Sequence, residues 1–219
     1  FTAIPSRNTG KWWTRFMCRL VESLKILDGR LYHTSYHNAR MNASRRQLFR
    51  CAGLLDLGDI VRVPEEHRLG LYKCRVIYSN DVHAVEFHPY VKRTVCSLRL
   101  LEADDIDYSH KYENRDAIND LLSLEGDCGD VLIIKQGEIT DASSANVALF
   151  DGYRWVTPLN PLLKGTCRAR LIDAGILAER RLCPQDLRRF TKLSLINAMM
   201  DLGEWEVPVD AVVGLENFM

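Results

Sequence analysis

Residues 130–170 constrain the fold most, because they place two apolar strand candidates and a hairpin signal directly ahead of a glycine-led helix start. The apolar runs are Val131–Ile134 and Val147–Phe150, and the second run leads into Asp151-Gly152. Asp-Gly between alternating apolar residues predicts a tight hairpin, since both central residues of such a turn adopt positive φ. We therefore expect sheet strands that lie beside the N-terminus of a helix beginning after Gly165.

The rest of the chain adds strands in two batches, separated by helices and joined mostly by hairpins. Alternating apolar residues predict strands at Leu20–Leu27, Arg30–Tyr32, Tyr72–Tyr78, His83–His88, Ser97–Leu101 and Tyr153–Thr157, with further sheet-like segments at Leu195–Met200 and Val207–Val213. Helical patterns cover His37–Gly53, Asp116–Leu124, Thr166–Ala178 and Pro184–Thr191, and residues 1–15 look irregular. This order predicts an α+β fold with mainly antiparallel sheets: a small N-terminal domain over residues 1–105 and a barrel-like C-terminal domain over residues 106–219. A ligand site is expected at their junction.

The composition is that of an ordinary globular protein without excess charge. The 29 basic and 29 acidic residues balance, so we expect neither nucleic acid nor a membrane surface as a partner. No apolar run reaches the ~18 residues that a membrane span needs. The seven cysteines are scattered and form no C-x-x-C pair, which predicts neither a disulfide framework nor a zinc site. We expect a cytoplasmic protein without a bound metal.

Lys111 and Asp141 are the first candidates for chemistry. Lys111 lies where an acidic loop gives way to a helix, and burial beside Arg115 would lower its pKa and make it a nucleophile; it could equally be a surface lysine. Asp141 lies in a polar segment between two strands, where it could pair with a protonated ring nitrogen or be an ordinary turn aspartate. Ser144 and Asn146 could bind ligand oxygens or satisfy an irregular strand junction.

A second group of residues suits an anion. Gly165, Thr166 and Cys167 open a helix, whose unpaired N–H groups and dipole favour phosphate. His37 and Arg40 share one face of an earlier helix, and arginine matches the geometry of phosphate, although such a pair is often only a capping or surface pair. A lysine, a carboxylate, an anion site and an arginine together are the protein groups that pyridoxal phosphate requires.

The order of these parts resembles the class IV aminotransferase family, the fold-type IV pyridoxal-phosphate enzymes. The resemblance covers about residues 18 to 213 and is closest to the aminodeoxychorismate lyase-like branch. The motifs that carry it are His37-x-x-Arg40, Lys111-x-x-Asn114-Arg115, Gly137-x-Ile-Thr-Asp141 through Asn146, Leu163-x-Gly165-x-x-Arg168 and Asn197-Ala-Met-Met200.

The resemblance implies a role for each motif residue. Lys111 falls on the catalytic Schiff-base lysine, Arg40 on the phosphate-binding arginine, and Asp141 on a glutamate that contacts the ring nitrogen. Arg115 falls where aminotransferases tend to carry a tyrosine near the ring hydroxyl. The other cofactor-binding residues that it implies are Ser144, Asn146, Leu163, Gly165, Thr166, Cys167, Asn197 and Ala198, and His37 is a candidate for substrate binding. Asp141 and Cys167 depart from the family, which has glutamate and threonine there.

The resemblance also leaves three functions open. The first is a lyase that eliminates pyruvate from 4-amino-4-deoxychorismate and leaves 4-aminobenzoate. The second is an aminotransferase of the branched-chain or D-amino-acid type, for which Arg75, Arg93 or Arg99 could bind the carboxylate of the second substrate. The third is a protein that binds pyridoxal phosphate without turnover. In each enzyme the substrate is a small amino compound, and the family implies a homodimer.

Overall fold

The computed structural model describes residues 18–218. The irregular arm predicted for residues 1–15 lies outside the described residues. Within them the chain forms two sheets, one of four strands and one of nine, with few helices. This is the α+β class that the sequence predicts.

The first sheet holds the strands in the order β2-β1-β3-β4, and every pairing in it is antiparallel. The bounds are β1 Leu20–Leu27, β2 Arg30–Leu31, β3 Leu71–Tyr78 and β4 Val82–Pro89. The β1–β2 turn is formed by Asp28 and Gly29, at φ 49° and 76°. Both residues thus have the positive φ expected of a two-residue hairpin turn.

Helix α1, Thr34–Phe49, packs its Met41 on the apolar face of the first sheet, against β1 residues such as Leu20 and Leu24. The predicted bounds His37–Gly53 were wrong at both ends. The left-handed residues that flank the helix are His33 and Arg50, at φ 55° and 59°, so the chain leaves the helix before it reaches Gly53. A short helix α2, Leu57–Ile60, and the 3₁₀ turn Glu65–His67 follow.

The second sheet follows the order β10-β9-β8-β7-β6-β5-β13 and branches at β8, which also pairs with β11. Strands β5 with β6, β5 with β13, and β9 with β10 are parallel, whereas the other pairs are antiparallel, so the sheets are mainly antiparallel as predicted. The bounds are β5 Leu98–Glu102, β6 Asp130–Lys135, β7 Glu138–Ala142, β8 Asn146–Phe150, β9 Trp155–Pro158, β10 Leu177–Arg180, β11 Lys192–Ile196, β12 Glu206–Pro208 and β13 Val212–Val213. Helix α3 is Asp116–Leu122 and helix α4 is Thr166–Asp173.

Several local predictions in this half were wrong. The polar segment that holds Asp141 was expected to lie between two strands, but Asp141 is itself part of strand β7. The sheet-like segment predicted at Val207–Val213 is interrupted by the 3₁₀ turn Val209–Ala211. The helix predicted over Thr166–Ala178 stops at Asp173, because Gly175 adopts φ 71° and turns the chain into β10. The segment Pro184–Thr191 is a 3₁₀ turn that ends at Arg189. The strand predicted at Leu195–Met200 ends at Ile196 and begins earlier, at Lys192.

The hairpin at Asp151-Gly152 forms, but with a different turn. Gly152 has φ 98°, whereas Asp151 is not among the residues with positive φ. The Asp151 carboxylate instead accepts hydrogen bonds from the backbone N–H groups of Tyr153 and Arg154 at 3.0 and 2.9 Å. The loop is therefore longer than two residues, and β9 begins at Trp155.

Residues of both sheets line one shared cavity. The first sheet ends with Pro89 and the second begins with Leu98, ahead of the domain boundary at residue 105, which stays a prediction. Among residues 18–218, no helix combines the length and the apolar character needed to cross a membrane.

Candidate active site

A cavity of about 290 Å³ lies where the two sheets approach each other. The first half of the chain contributes Ser23 of β1, Arg40 of α1 and Lys73 of β3 to its wall. The second half contributes the loop before α3, the β7–β8 junction, the start of α4 and the turn after β11. The cavity is thus at the junction where the sequence predicts a ligand site.

Lys111 is held at this cavity by backbone bonds to β1. Its carbonyl accepts from the N–H of Val21 at 2.9 Å, and the next residue, Tyr112, forms a β-bridge with Leu20. Burial, together with the positive charge of Arg40, lowers the pKa of the Lys111 amine to about 7, although the negative charge of Glu22 acts in the opposite direction. A substantial fraction of the amine is therefore neutral near pH 7, which a nucleophile requires.

Asp141 ends on the same cavity from the opposite sheet. It pairs with Asn146 where β7 and β8 join, and its Oδ1 accepts from Asn146 Nδ2 at 2.7 Å while Oδ2 accepts from Leu163 N at 2.8 Å. Burial raises the pKa of the Asp141 carboxyl to about 7 despite these hydrogen bonds. No ion pair within the described residues includes Asp141, so a cation placed in the cavity would stabilise its charged form.

The N-terminus of α4 forms one end of the cavity, beginning after Gly165. A Cβ at Gly165 would lie 2.0 Å from Asn146 Oδ1, so only glycine fits beside that amide. The Asn146 amide cannot move aside freely, because its Nδ2 also donates to the carbonyl of Leu163 at 2.7 Å. The turn therefore brings backbone close to the cavity, as an anion-binding helix start requires.

Arg40 reaches the same end of the cavity and is held there by Glu22. Its Nε donates to Glu22 Oε1 at 3.0 Å and its Nη2 to Oε2 at 2.5 Å, while Nη1 lies 3.5 Å from the carbonyl oxygen of Lys164. His37 Nδ1 lies 2.6 Å from Glu22 Oε2. Glu22 is fully buried, and Arg40 and His37 hold the pKa of its carboxyl down at about 2 even though burial alone would raise it.

The model of the family described as amino-transferase class IV matches residues 19–204. An uncharacterised protein of Haemophilus influenzae is 31% identical over 188 residues, which cover 85% of this chain and 100% of that protein. The chain belongs to the class IV aminotransferase family. A solved structure of a candidate 4-amino-4-deoxychorismate lyase from Haemophilus somnus is 32% identical, has a TM-score of 0.78 and aligns over 85% of this chain and 98% of its own. A candidate amino-acid aminotransferase from Mesorhizobium loti, at 22% identity and TM-score 0.73 over 90% and 100% of the two chains, shares the fold.

The cavity of this member of the class IV aminotransferase family brings together every predicted site residue except His37 and Cys167. The cavity-lining ones are Arg40, Lys111, Arg115, Asp141, Ser144, Asn146, Leu163, Gly165, Thr166, Asn197 and Ala198. The roles assigned to them stay predictions.

His37 and Cys167 lie behind the cavity wall. His37 is only 1% exposed and contacts Glu22, which does not favour its predicted contact with substrate. The sulfur of Cys167 points toward the carbonyl of Met200 and the carboxylate of Asp201, at 3.9 and 3.8 Å. A contribution of Cys167 to phosphate binding is thus left to its backbone N–H.

The structure also distinguishes the arginines proposed for a substrate carboxylate. Arg93 lines the cavity, and its Nη2 donates to the carbonyl of Gly129 at 2.8 Å. Neither Arg75, which forms an ion pair with Glu86, nor Arg99, which donates to the carbonyl of Glu125, lines the cavity. Of the three arginines, Arg93 is therefore placed for that role.

Sequence reasoning missed several cavity residues. The missed lining residues are Ser23, Lys73, Tyr90, Tyr108 and Met199. Glu22, which lies directly behind the cavity wall and binds Arg40, was also missed. A signal for Glu22 did exist, since it occupies the same alternating register of β1 as Leu20, Leu24 and Ile26, all of which are fully buried. No comparable pattern marks Lys73 or Tyr90.

Enzymes of this family use pyridoxal 5′-phosphate, and the residues present fit that cofactor. Asp141 is a buried carboxylate without an ion-pair partner in the described region, which suits a protonated ring nitrogen. Gly165 leaves room for a group that needs close contact with backbone, and Arg40 adds a guanidinium beside it. Residues 18–218 contain no cluster of three or more His, Cys, Asp or Glu side chains arranged to hold a metal ion.

Proposed function

We propose that this chain is a pyridoxal-phosphate-dependent lyase that eliminates pyruvate from 4-amino-4-deoxychorismate and releases 4-aminobenzoate. The observation that carries the proposal is the shared cavity of Lys111, Asp141 and Arg40, in which the Lys111 amine has a pKa of about 7. The elimination balances with no second reactant, since the two products together contain all the atoms of the substrate.

The cofactor would be held by groups at both ends of the cavity. Arg40 and the backbone at Gly165 and Thr166 would bind the phosphate, and Asp141 would accept a hydrogen bond from the ring nitrogen and keep it protonated. When bound, pyridoxal phosphate withdraws electrons from the carbon that bears the substrate amine.

Lys111 would carry both proton transfers. Its neutral amine removes the proton from the carbon that bears the substrate amine, and the ammonium so formed returns a proton to the departing pyruvate carbon as the C–O bond breaks. A pKa near 7 suits both steps, because the same group must act as a base and then as an acid at neutral pH.

The cationic wall suits a substrate with two carboxylates. Lys73, Arg93 and Arg115 line the cavity beyond Arg40. Arg115 is oriented by its Nη2, which donates to the carbonyl of Ser143 at 2.8 Å. These side chains support a small anionic amino compound as the substrate class.

The turn after β11 favours the lyase over an aminotransferase. Asn197 Oδ1 accepts from the N–H groups of Met199 and Met200 at 2.9 and 3.0 Å, and its Nδ2 donates to the Ser144 carbonyl at 3.2 Å. The Asn-Ala-Met-Met motif, which resembles the lyase branch, thus forms a hydrogen-bonded turn that lines the cavity. The 32% identity to the candidate lyase of Haemophilus somnus supports the same choice.

Two measurements test the proposal. The purified protein should absorb in the visible range, and borohydride should fix the cofactor to Lys111; Lys111→Met should remove this signal and Lys73→Met should leave it. Pyruvate release from 4-amino-4-deoxychorismate without an added keto acid is the expected activity. Turnover only with a keto acid would instead establish an aminotransferase, and bound cofactor without either activity would leave a non-catalytic binding protein.

We also propose a cytoplasmic homodimer. All seven cysteines are unpaired, which suits a reducing compartment. The homodimer rests on the family resemblance alone. Light scattering tests it, and a monomer at micromolar concentration would contradict it.

A further inference from the structure

Glu22 contacts the cavity residue Arg40 directly and is linked through His37 to a second cavity residue, Thr166, which is far away in the sequence. Its carboxylate binds Arg40 through both oxygens, at 3.0 and 2.5 Å, and binds His37 Nδ1 at 2.6 Å. The second ring nitrogen of His37, Nε2, lies 3.4 Å from the hydroxyl of Thr166, the first residue of α4. A continuous chain of polar contacts therefore connects Arg40 to Thr166 behind the cavity wall.

The hydrogen-bond directions follow from the chemistry of the groups. The Glu22 carboxylate only accepts, so His37 Nδ1 carries a proton and donates it. In the neutral tautomer Nε2 then accepts, and the Thr166 hydroxyl donates to it. The Thr166 side chain is thereby held on the α1 side, while its backbone belongs to the start of α4 at the cavity.

This arrangement leaves part of the Arg40 guanidinium for a ligand. Nε and one N–H of Nη2 are engaged by Glu22, and one N–H of Nη1 faces the Lys164 carbonyl. The second N–H of each terminal nitrogen has no partner among the described residues, and the Arg40 side chain is 15% exposed at the cavity. A planar guanidinium fixed in this way loses little rotamer freedom when it binds an anion.

A contribution to stability alone does not explain the arrangement well. Buried ion pairs are often no more stabilising than apolar residues of the same volume, because desolvation offsets their attraction. Glu22 occupies a register of β1 whose other members are Leu20, Leu24 and Ile26, so an apolar residue would suit that face of the strand.

We infer that Glu22 and His37 are positioning residues that hold Arg40 and Thr166 in the geometry that binds phosphate. They thereby give the site its preference for phosphorylated over unphosphorylated pyridoxal. The inference rests on the proposed function, since it assumes that the phosphate of the cofactor lies between Arg40 and the start of α4.

The test compares two ligands that differ only in the phosphate. Apo-protein is titrated with pyridoxal phosphate and with pyridoxal, and the dissociation constants are read from absorbance. Free pyridoxal closes to a hemiacetal that pyridoxal phosphate cannot form, but this difference is the same for every variant, so the change in the ratio between wild type and variant isolates the phosphate contribution. In Glu22→Gln we expect the constant for pyridoxal phosphate to rise about 10-fold or more, and that for pyridoxal to stay within about twofold.

His37→Asn provides a second variant, because asparagine keeps a donor near the Nδ1 position and loses the contact to Thr166. In His37→Asn we expect the dissociation constant for pyridoxal phosphate to rise less than in Glu22→Gln, and the constant for pyridoxal to stay unchanged. In the Arg40→Gln background, Glu22→Gln should change the ratio clearly less than in the wild type, since only the contact through His37 to Thr166 is then left for it to disturb. Glu86→Gln is the matched control: it breaks the ion pair with Arg75 on the same sheet, away from the cavity, and should leave both constants unchanged.

The outcomes separate this inference from the proposed function. The positioning role would be overturned if Glu22→Gln weakened the binding of both ligands equally. It would also be overturned if Glu22→Gln changed the ratio as much in the Arg40→Gln background as in the wild type. An unchanged ratio in both Glu22→Gln and His37→Asn would do the same. A wild-type protein that binds neither ligand contradicts the proposed function itself.

Discussion

Replacing Gly165 by alanine perturbs the site at its tightest point. Gly165 has φ −70°, which any residue can adopt, so alanine introduces no backbone strain there. The effect comes from the new Cβ, which would lie 2.0 Å from Asn146 Oδ1 and 3.1 Å from its Cγ. The Asn146 side chain must therefore move.

The magnitude follows from the hydrogen bonds that this movement breaks. Asn146 Nδ2 donates to Asp141 Oδ1 and to the Leu163 carbonyl, both at 2.7 Å. At about pH 8 Asp141 is largely ionised, because its pKa is about 7. One bond to a charged acceptor and one to a neutral acceptor together contribute about 2–4 kcal/mol. In a chain of this length that loss lowers the Tm by roughly 4–16 °C.

Urea unfolding and cofactor titration at about pH 8 provide the assay. We expect Gly165→Ala to lose about 2–4 kcal/mol of unfolding free energy and to bind pyridoxal phosphate more weakly. In the Asn146→Ala background the same change should cost about 1 kcal/mol or less, chiefly from the lower preference of the N-cap position for alanine than for glycine. Gly53→Ala is the control, since a methyl group at that position would meet no atom within 4 Å beyond its chain neighbours, and the φ of Gly53 is not positive.

Two results would refute this reasoning. Wild-type stability and cofactor affinity in Gly165→Ala would mean that Asn146 does not restrict the turn. An equal cost with and without the Asn146 side chain would mean that the loss comes from the helix cap rather than from the clash.

Three further predictions concern the chemistry of the cavity. Because burial and Arg40 lower the pKa of Lys111 to about 7, the rate of cofactor binding should rise between about pH 6 and about pH 8, as stopped-flow absorbance can measure; a flat profile would contradict a titrating Lys111. Asp141→Asn should keep the cofactor but lower turnover roughly 100-fold, and wild-type turnover in a steady-state assay would exclude the proposed ring contact. Cys167→Thr should change cofactor affinity by less than about twofold, since the Cys167 sulfur faces Asp201; a tenfold gain would place this side chain at the phosphate.

Local turn chemistry could be predicted from the sequence only where the aspartate side chain does not accept N–H groups of its own turn; the Asp28 carboxylate accepts instead from Gly70, directly before β3. Asp28-Gly29 forms the expected turn with two positive φ values. At Asp151-Gly152 the same dipeptide forms a longer loop, because the Asp151 carboxylate accepts two backbone N–H groups. The choice between these turns depends on the residues that follow, which a dipeptide signal does not include.

Two of the wrong element predictions, the end of α4 and the polar segment that contains strand β7, have different physical origins. The end of α4 could have been predicted from the sequence, because Gly175 lies where a residue in the left-handed conformation ends the helix, and glycine favours that conformation. Strand β7 was harder to predict, because it buries the polar residues Thr140 and Asp141. Thr140 satisfies its hydroxyl by donating to the Ile133 carbonyl at 2.9 Å across the hairpin, a contact that exists only once β6 and β7 pair.

Most of the motif residues line the cavity, as the sequence led us to expect, whereas the contacts behind them depend on how α1 packs on β1. Helical spacing puts His37 and Arg40 on one face of α1, and alternation puts Glu22 on the apolar face of β1. A carboxylate in an apolar register must either find a partner or cost several kcal/mol, and a basic pair at helical spacing supplies one. The two patterns combined would have predicted that Glu22 contacts His37 and Arg40. His37 would then have been predicted to contact Glu22 rather than the substrate. A charged residue at an interior strand position is therefore informative about the partner element as well as about its own strand.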